Sequence, residues 1–338
     1  MTSSLSVRHS LLATLVATIW GFNFVVIEWG MHDVPPLLFA SMRFAAVVVP
    51  AVFFVPRPSA SWPTVVGVGV FMSLGQFGLL YTSMHLGMPP GLAALVLQAQ
   101  VVFTVVIAAV WLRERPTVRQ VTGIMVACLG LVVVGLGRGG HVPLSALLLC
   151  VAGAFSWGIG NVVARRSATP TSSGLSMVVW SSLVVPVPLF LLSLALDGPA
   201  AVGDALAGLG PEALASTLYT TVLASLVGYS IFNGLLGRYP ASSVVPFVLI
   251  APPVAMLSAW LLLGQTLSIA EAAGSAIVLL GVLVTTRQGA MLKLRRKTLS
   301  GSQARLTSTS RAVVSGGQSA AMSSGVSEPR KPAYEPMP

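Results

Sequence analysis

The sequence predicts an all-α integral membrane protein of ten helices, and three observations carry that prediction. The chain of 338 residues is 55% hydrophobic and only 8% charged, with a mean hydropathy of +0.87. Globular domains carry about a quarter charged residues, so charges this sparse cannot cover a water-facing surface. Apolar runs follow one another from Leu11 onward, many near the roughly 20 residues that a bilayer-spanning helix requires. The segments between them are short and rich in Pro and Gly, which is the punctuation of helix ends.

The expected helices cover about 9–30, 34–55, 62–84, 90–112, 118–136, 143–164, 173–196, 212–236, 241–263 and 269–286. The first run, Leu11 to Trp29, is too long for a signal-peptide core and lacks a small-residue cleavage site, so it is a retained span. The second opens on Pro35 and Pro36, the third after Pro56 and Pro58, and the fourth on Pro89, Pro90 and Gly91. Proline costs little there, because the first helical amide has no intrahelical partner. The ninth contains Pro246, Pro252 and Pro253, which should bend it and free carbonyls. After the tenth, Ser, Gly, Lys and Arg replace Leu and Val, which predicts a disordered basic tail over 287–338.

Charge sets the orientation. With the N-terminus in the cytoplasm, the inner side receives Arg8, Arg57, Arg113, Arg115, Arg119, Arg165, Arg166, Arg238 and the bases of the tail. The outer loops then hold Arg138 with Asp33, Asp197 and Asp204. This bias fits an even number of spans with both termini inside. The formal charge of +10 thus belongs to loops and tail and argues against a nucleic-acid partner. Lys293, Arg295, Arg296 and Lys297 suit contact with anionic lipid, or simply stop translocation.

The chain also repeats itself. Trp20 and Gly21 recur as Trp157 and Gly158; Gly78, Gly87 and Pro90 as Gly228, Gly237 and Pro240; Thr117, Gly123 and Gly130 as Ser268, Gly274 and Gly281. Two five-helix repeats, 9–136 and 143–286, follow. Five being odd, the second lies upside down relative to the first. Inverted repeats are a transporter signature, with the substrate site between the halves near the midplane.

Polar groups inside spans are costly and therefore informative. Trp20 shares a helical face with Asn23, and Trp157 with Asn161. The third helix aligns Gly69, Ser73, Gln76 and Ser83; the eighth aligns Thr217, Thr221, Ser225, Tyr229 and Asn233. Such stripes either glue helices together or line a polar cavity. Gln98 and Gln100 lie about 200° apart around their helix, so one lines the cavity while the other bonds a neighbour. Arg43 lies about nine residues, or some 13 Å, inside the second helix. It either pairs with Glu28 or backbone carbonyls, or attracts a substrate carboxylate. Glu28 is the in-membrane carboxylate on which proton coupling could rest.

Catalysis finds little footing. His9, His32, His85 and His141 fall at span ends, Cys128 and Cys150 have no metal spacing, and Walker, HExxH and nucleophile-elbow motifs are missing. No cofactor is expected, and a small-molecule substrate is.

The segments "WGFNFVVIEWGMHDVPPLLFASMRF", "GMPPGLAALVLQAQ", "FSWGIGN" and "VGYSIFNGLLGRY" resemble the EamA family of the drug/metabolite transporter superfamily over about residues 9–287. The resemblance implies a multi-pass protein of the bacterial cytoplasmic membrane that exports amino acids or related metabolites of the O-acetylserine and cysteine kind. One departure is Gln265 after Gly264, where the family often has an acid; Glu114 keeps it in the first repeat. The expected substrate-binding residues are Trp20, Asn23, Arg43, Gln76, Gln98, Trp157, Asn161, Tyr229 and Asn233. Rival readings are a drug or other-metabolite exporter of the same fold, a membrane sensor or assembly partner, and, weakest, a membrane enzyme. A homodimer is compatible with all of them.

Overall fold

The computed structural model describes residues 5–137, 142–166, 174–239, 241–266 and 268–286. The tail, Arg138, His141 and Pro240 lie outside these residues. The described residues are helical with no strand. Eight helices are long and apolar enough to cross a membrane. They are α1 (Val7–Gly30), α3 (Trp62–His85), α4 (Pro90–Trp111), α5 (Val118–Gly137), α6 (Leu144–Arg165), α7 (Gly174–Leu196), α9 (Pro211–Arg238) and α10 (Val245–Leu263). Two shorter apolar helices are α2 (Pro36–Ala51) and α11 (Ile269–Thr286). The remaining element, α8 (Pro199–Ala207), lies in a connection expected to be irregular. Its signal was readable: Gly198, at φ 89°, turns the chain into Pro199, and Gly208 caps the other end.

Proline placement follows expectation, at the first turns of α2, α3, α4, α7's second segment, α8 and α9. The second helix is shorter than its expected 34–55, because Pro35 occupies the N-cap and Pro50 the last turn, where its ring obstructs the ladder. Both α5 and α11 start on a capping box. Thr117 and Gln120 exchange side-chain-to-backbone bonds at 3.0 and 3.4 Å, as do Ser268 and Glu271 at 2.8 and 3.1 Å.

Helices α5 and α11 approach backbone to backbone. A Cβ added to Gly123 would sit 2.7 Å from the Gly281 carbonyl oxygen, and one added to Gly281 2.7 Å from that of Gly123. Gly130 and Gly274 face each other's carbonyls in the same way, at 2.8 and 2.9 Å. The pairing is antiparallel, and only glycine permits it. Elsewhere Gly21 sits against Ala251 and Val254 of α10, and Gly158 against Phe103 and Thr104 of α4.

Five helices are irregular along their length, α7 among them with a 3-10 turn over Ser182–Val184 before Pro186. In α3 the stretch Gly69–Gly75 is π-helical, as is Tyr219–Val227 in α9. In α4 the ladder tightens at Leu97 and Gln98, with Gln98, Gln100 and Val101 each bonding three residues back at 2.9–3.0 Å. In α10 the residues Val245–Ile250 form a 3-10 segment before Pro252 and Pro253. Single-turn π segments concentrate at functional sites, and each irregularity leaves carbonyls free for other partners.

Arg113 carries φ 55° at the end of α4, where α10 has Gly264 at φ 66°. A left-handed non-glycine residue costs about 1–2 kcal/mol, part of which glycine returns to the unfolded chain. Arg113→Gly is therefore expected to raise the melting temperature of the purified protein slightly, and a fall would contradict the strain.

Candidate functional site

The π-helical stretch of α9 is the platform on which the polar residues converge. The indole nitrogen of Trp20 donates to the Ala224 carbonyl at 2.9 Å. Its ring lies 5.1 Å from Tyr229 and 5.1 Å from Phe232. On the next residue, Ser225 bonds the Thr220 carbonyl at 2.8 Å, five residues back, and accepts from Arg43 Nη2 at 3.3 Å. The Thr221 hydroxyl donates to the Arg43 carbonyl at 3.4 Å. Tyr229 lies within electrostatic reach of Arg43.

Arg43 is 3% exposed. Its Nη1 donates to the Tyr81 hydroxyl at 2.7 Å, and its guanidinium stands 4.4 Å from the Phe77 ring centre and 5.4 Å from that of Phe44. Tyr81, fully buried, stacks on Phe39 at 5.8 Å. The expected alternative of a bond to Glu28 is not what forms; two hydroxyls take its place. Nothing in the sequence marks Tyr81, which reads as an ordinary apolar-run tyrosine.

Asn23, one turn on from Trp20, is buried, and its amide oxygen has no hydrogen-bond partner. Buried amide oxygens in that condition are expensive. Asn233 packs against Gly174 of α7, with its amide nitrogen likewise unpartnered. Trp20 and Arg43 meet α9, which itself carries Tyr229 and Asn233.

The remaining candidates belong to α3, α4 and α6. Asn161 donates to Gln100 Oε1 at 2.6 Å and to the Thr104 hydroxyl at 3.1 Å. Of the two glutamines in α4 it is thus Gln100 that bonds a neighbouring helix. Gln98 is buried at the break in α4, Gln76 is buried where α3 leaves its π stretch, and Trp157 packs on the main apolar core. Ser156, beside Trp157, donates to the Phe71 carbonyl of α3's π stretch at 2.8 Å.

Two ends of the bundle differ. At one, Glu114 and Arg165 form an ion pair, each half-exposed. Nearby in type, His9 bonds the Tyr239 hydroxyl at 2.8 Å over a small cluster of Ala13, Leu235 and Val244. At the other end a cavity of about 560 Å³ is lined by His32, Asp33, Pro36, His85, Asp197 and Asp204. Histidines far apart in sequence are thereby brought to one mouth. Arg43 lies seven residues beyond Pro36, about 10 Å further along α2. Glu28 Oε2 and Gln265 Oε1 are buried without partners.

Apolar helices in this number, with a buried cation held between α3 and α9, define a multi-pass membrane protein. The EamA-like transporter family matches residues 8–136 and 144–287, and the chain belongs to it. It is 39% identical over 284 residues to a "Probable amino-acid metabolite efflux pump" of Salmonella typhimurium, covering 83% of this chain and 95% of that protein. A relative of the same name in Escherichia coli is 38% identical with the same coverage. A "Probable terminal-alkyne amino-acid exporter" of Streptantibioticus cattleyicolor is 26% identical, over 81% of this chain and 92% of that one. One solved structure superposes with a TM-score of 0.56 at 20% identity, over 86% of this chain and 98% of that one, a likeness of fold alone. The family is one of transporters, and these relatives bear the names of an efflux pump and an exporter.

Proposed function

We propose that the protein exports amino acids or related metabolites of the O-acetylserine and cysteine kind across the bacterial cytoplasmic membrane by alternating access. Ten spans form two inverted halves, 9–136 and 143–286, with both termini cytoplasmic and a small-molecule site between the halves. The nine residues Trp20, Asn23, Arg43, Gln76, Gln98, Trp157, Asn161, Tyr229 and Asn233 line it. The basic tail at 287–338 contacts anionic lipid, and the functional unit is compatible with a homodimer.

One observation carries this reading: contacts exchange under the same sequence offsets that relate the repeats. Gly123–Gly281 becomes Gly274–Gly130, and Gly21–Val254 becomes Gly158–Phe103. The π stretches at Gly69–Gly75 and Tyr219–Val227 correspond in the same way, as do the breaks in α4 and α10. An exchange that pairs antiparallel α5 and α11 is what a two-fold axis across those helices would produce, and so supports inverted repeats. Irregular backbone at matched places is where such transporters bind.

Efflux of labelled cysteine and O-acetylserine from overproducing cells tests the cargo. Export should rise with the intact protein, and fall for Asn161→Ala and Asn233→Ala at nearly unchanged membrane abundance. No rise for either solute, with the protein confirmed in the membrane, would sink this cargo. Equal loss of abundance and export would return both asparagines to a packing role.

A further inference from the structure

We propose that the free edge of the Arg43 guanidinium is the receptor for a carboxylate of the exported solute; the inference rests on the export reading above. A buried full charge inside a membrane bundle needs a counter-charge, because desolvation otherwise costs several kcal/mol. Among the described residues the ion pairs are His32–Asp33 and Arg165–Glu114, and Arg43 is in neither. Its partners are two neutral hydroxyls and two aromatic rings. Of the helices that touch α2, α1 meets Phe39 through Gly30 and carries Glu28, whose Oε2 is buried without a partner and bonds no arginine; α9 carries Glu212 in its first turn, thirteen residues from Ser225 and about 20 Å along the axis.

The hydrogen bonds show which edge is free. Nη1 is tied to Tyr81 at 2.7 Å, whereas Nη2 reaches Ser225 only at 3.3 Å and Nε has no acceptor. Nε and Nη2 form one side of the planar fork, and their parallel N–H bonds match the two oxygens of a carboxylate. Tyr81, itself held by Phe39, fixes the guanidinium so that this side faces the π-helical stretch of α9. An incoming carboxylate replaces the long Ser225 bond with two charged ones, neutralises the arginine and fills the vacant Nε. The cavity beyond Pro36 carries Asp33, Asp197 and Asp204, so a carboxylate leaving Arg43 towards it meets repulsion rather than a second anchor. Cargo without a free carboxylate has no claim on this site.

The full chain in lipid nanodiscs is titrated with L-cysteine, 3-mercaptopropionate (carboxylate without ammonium) and cysteamine (ammonium without carboxylate), reading binding by thermal shift. Counterflow of labelled cysteine in proteoliposomes, with the same compounds as competitors, reads transport. Cysteine and 3-mercaptopropionate should bind and compete, and cysteamine should do neither. Arg43→Lys, which keeps the charge and loses the fork, should weaken cysteine binding about ten- to a hundredfold, the range of a lost charged hydrogen bond. Cysteamine binding as well as 3-mercaptopropionate overturns the receptor, with no variant needed. So does a folded Arg43→Lys protein that binds cysteine as tightly as the parent, or a parent that binds neither carboxylate. Carboxylate-selective binding without counterflow leaves the receptor standing and removes the export reading; counterflow blind to the carboxylate does the reverse.

Discussion

Gly130→Leu is expected to separate α5 from α11 and to remove most of the protein from the membrane. The Cβ would stand 2.6 Å from the Val278 amide nitrogen and 2.8 Å from the Gly274 carbonyl oxygen. Both obstacles are backbone, so no rotamer change relieves them and the helices must part. Parting them also loses the reciprocal contact at Gly123 and Gly281, since one rigid pair carries both. Overpacking of this kind costs about 3 kcal/mol, a large share of a marginal folding free energy of about 5–15 kcal/mol. Gly135→Leu is the control on the same helix. Its Cβ meets only the tip of Leu147, at 3.7 Å, and a flexible side chain can yield. Size-exclusion profiles and melting temperatures of the detergent-extracted proteins decide it. A monodisperse Gly130→Leu protein melting with Gly135→Leu would mean that the two helices are not held by that contact.

The sequence showed these glycines only as matched repeat positions, Gly123 and Gly130 recurring as Gly274 and Gly281; that the two sets pack on each other is a finding of the fold. Thr117 and Ser268 likewise stood out only as a matched pair, and their capping role emerges from the hydrogen bonds. What the sequence concealed depends on side chains meeting across helices. Arg43 offered three partners on paper, and the two it found, Tyr81 and Ser225, lie 38 and 182 residues away. The π stretches were also hidden, since nothing in the composition of Gly69–Gly75 or Tyr219–Val227 separates a π turn from an α turn. On an ideal helix of 3.6 residues per turn, the stripe at spacing four in α9 drifts about 40° per step. A widened turn changes that drift, which is why Ser225 bonds five residues back rather than four. The two glutamines of α4 show the useful limit: periodicity said that they diverge, and only the fold could say that Gln100 is the one that meets Asn161.

The second large effect concerns the ends of the bundle, where Gln265→Arg is expected to slow export about tenfold and Glu28→Gln to restore it. The repeat offsets carry Glu114 to Gln265 and Arg165 to Glu28. The surrounding backbone agrees: Glu114 N–H bonds the Ala108 carbonyl at 3.4 Å, and Gln265 N–H bonds that of Ala259 at 3.3 Å. At one end the positions hold a carboxylate and a guanidinium, which pair. At the other they hold a glutamine and a carboxylate whose oxygens are buried and unpartnered. In the proposed alternating-access cycle each end opens in turn, and the end without a latch is expected to open more readily. Gln265→Arg supplies the missing cation and makes the two ends alike. A charged hydrogen bond of about 1.5–3 kcal/mol that forms only when this end is closed shifts the balance by roughly a factor of ten or more. Because the effect needs both partners, Glu28→Gln in the same chain should return the rate, while abundance stays level across the parent, the two single variants and the double variant. Unequal abundance would be corrected by normalising flux to protein. A Gln265→Arg protein that exports at the parent rate, or whose loss Glu28→Gln leaves untouched, would break the correspondence between the two ends and with it the symmetric cycle.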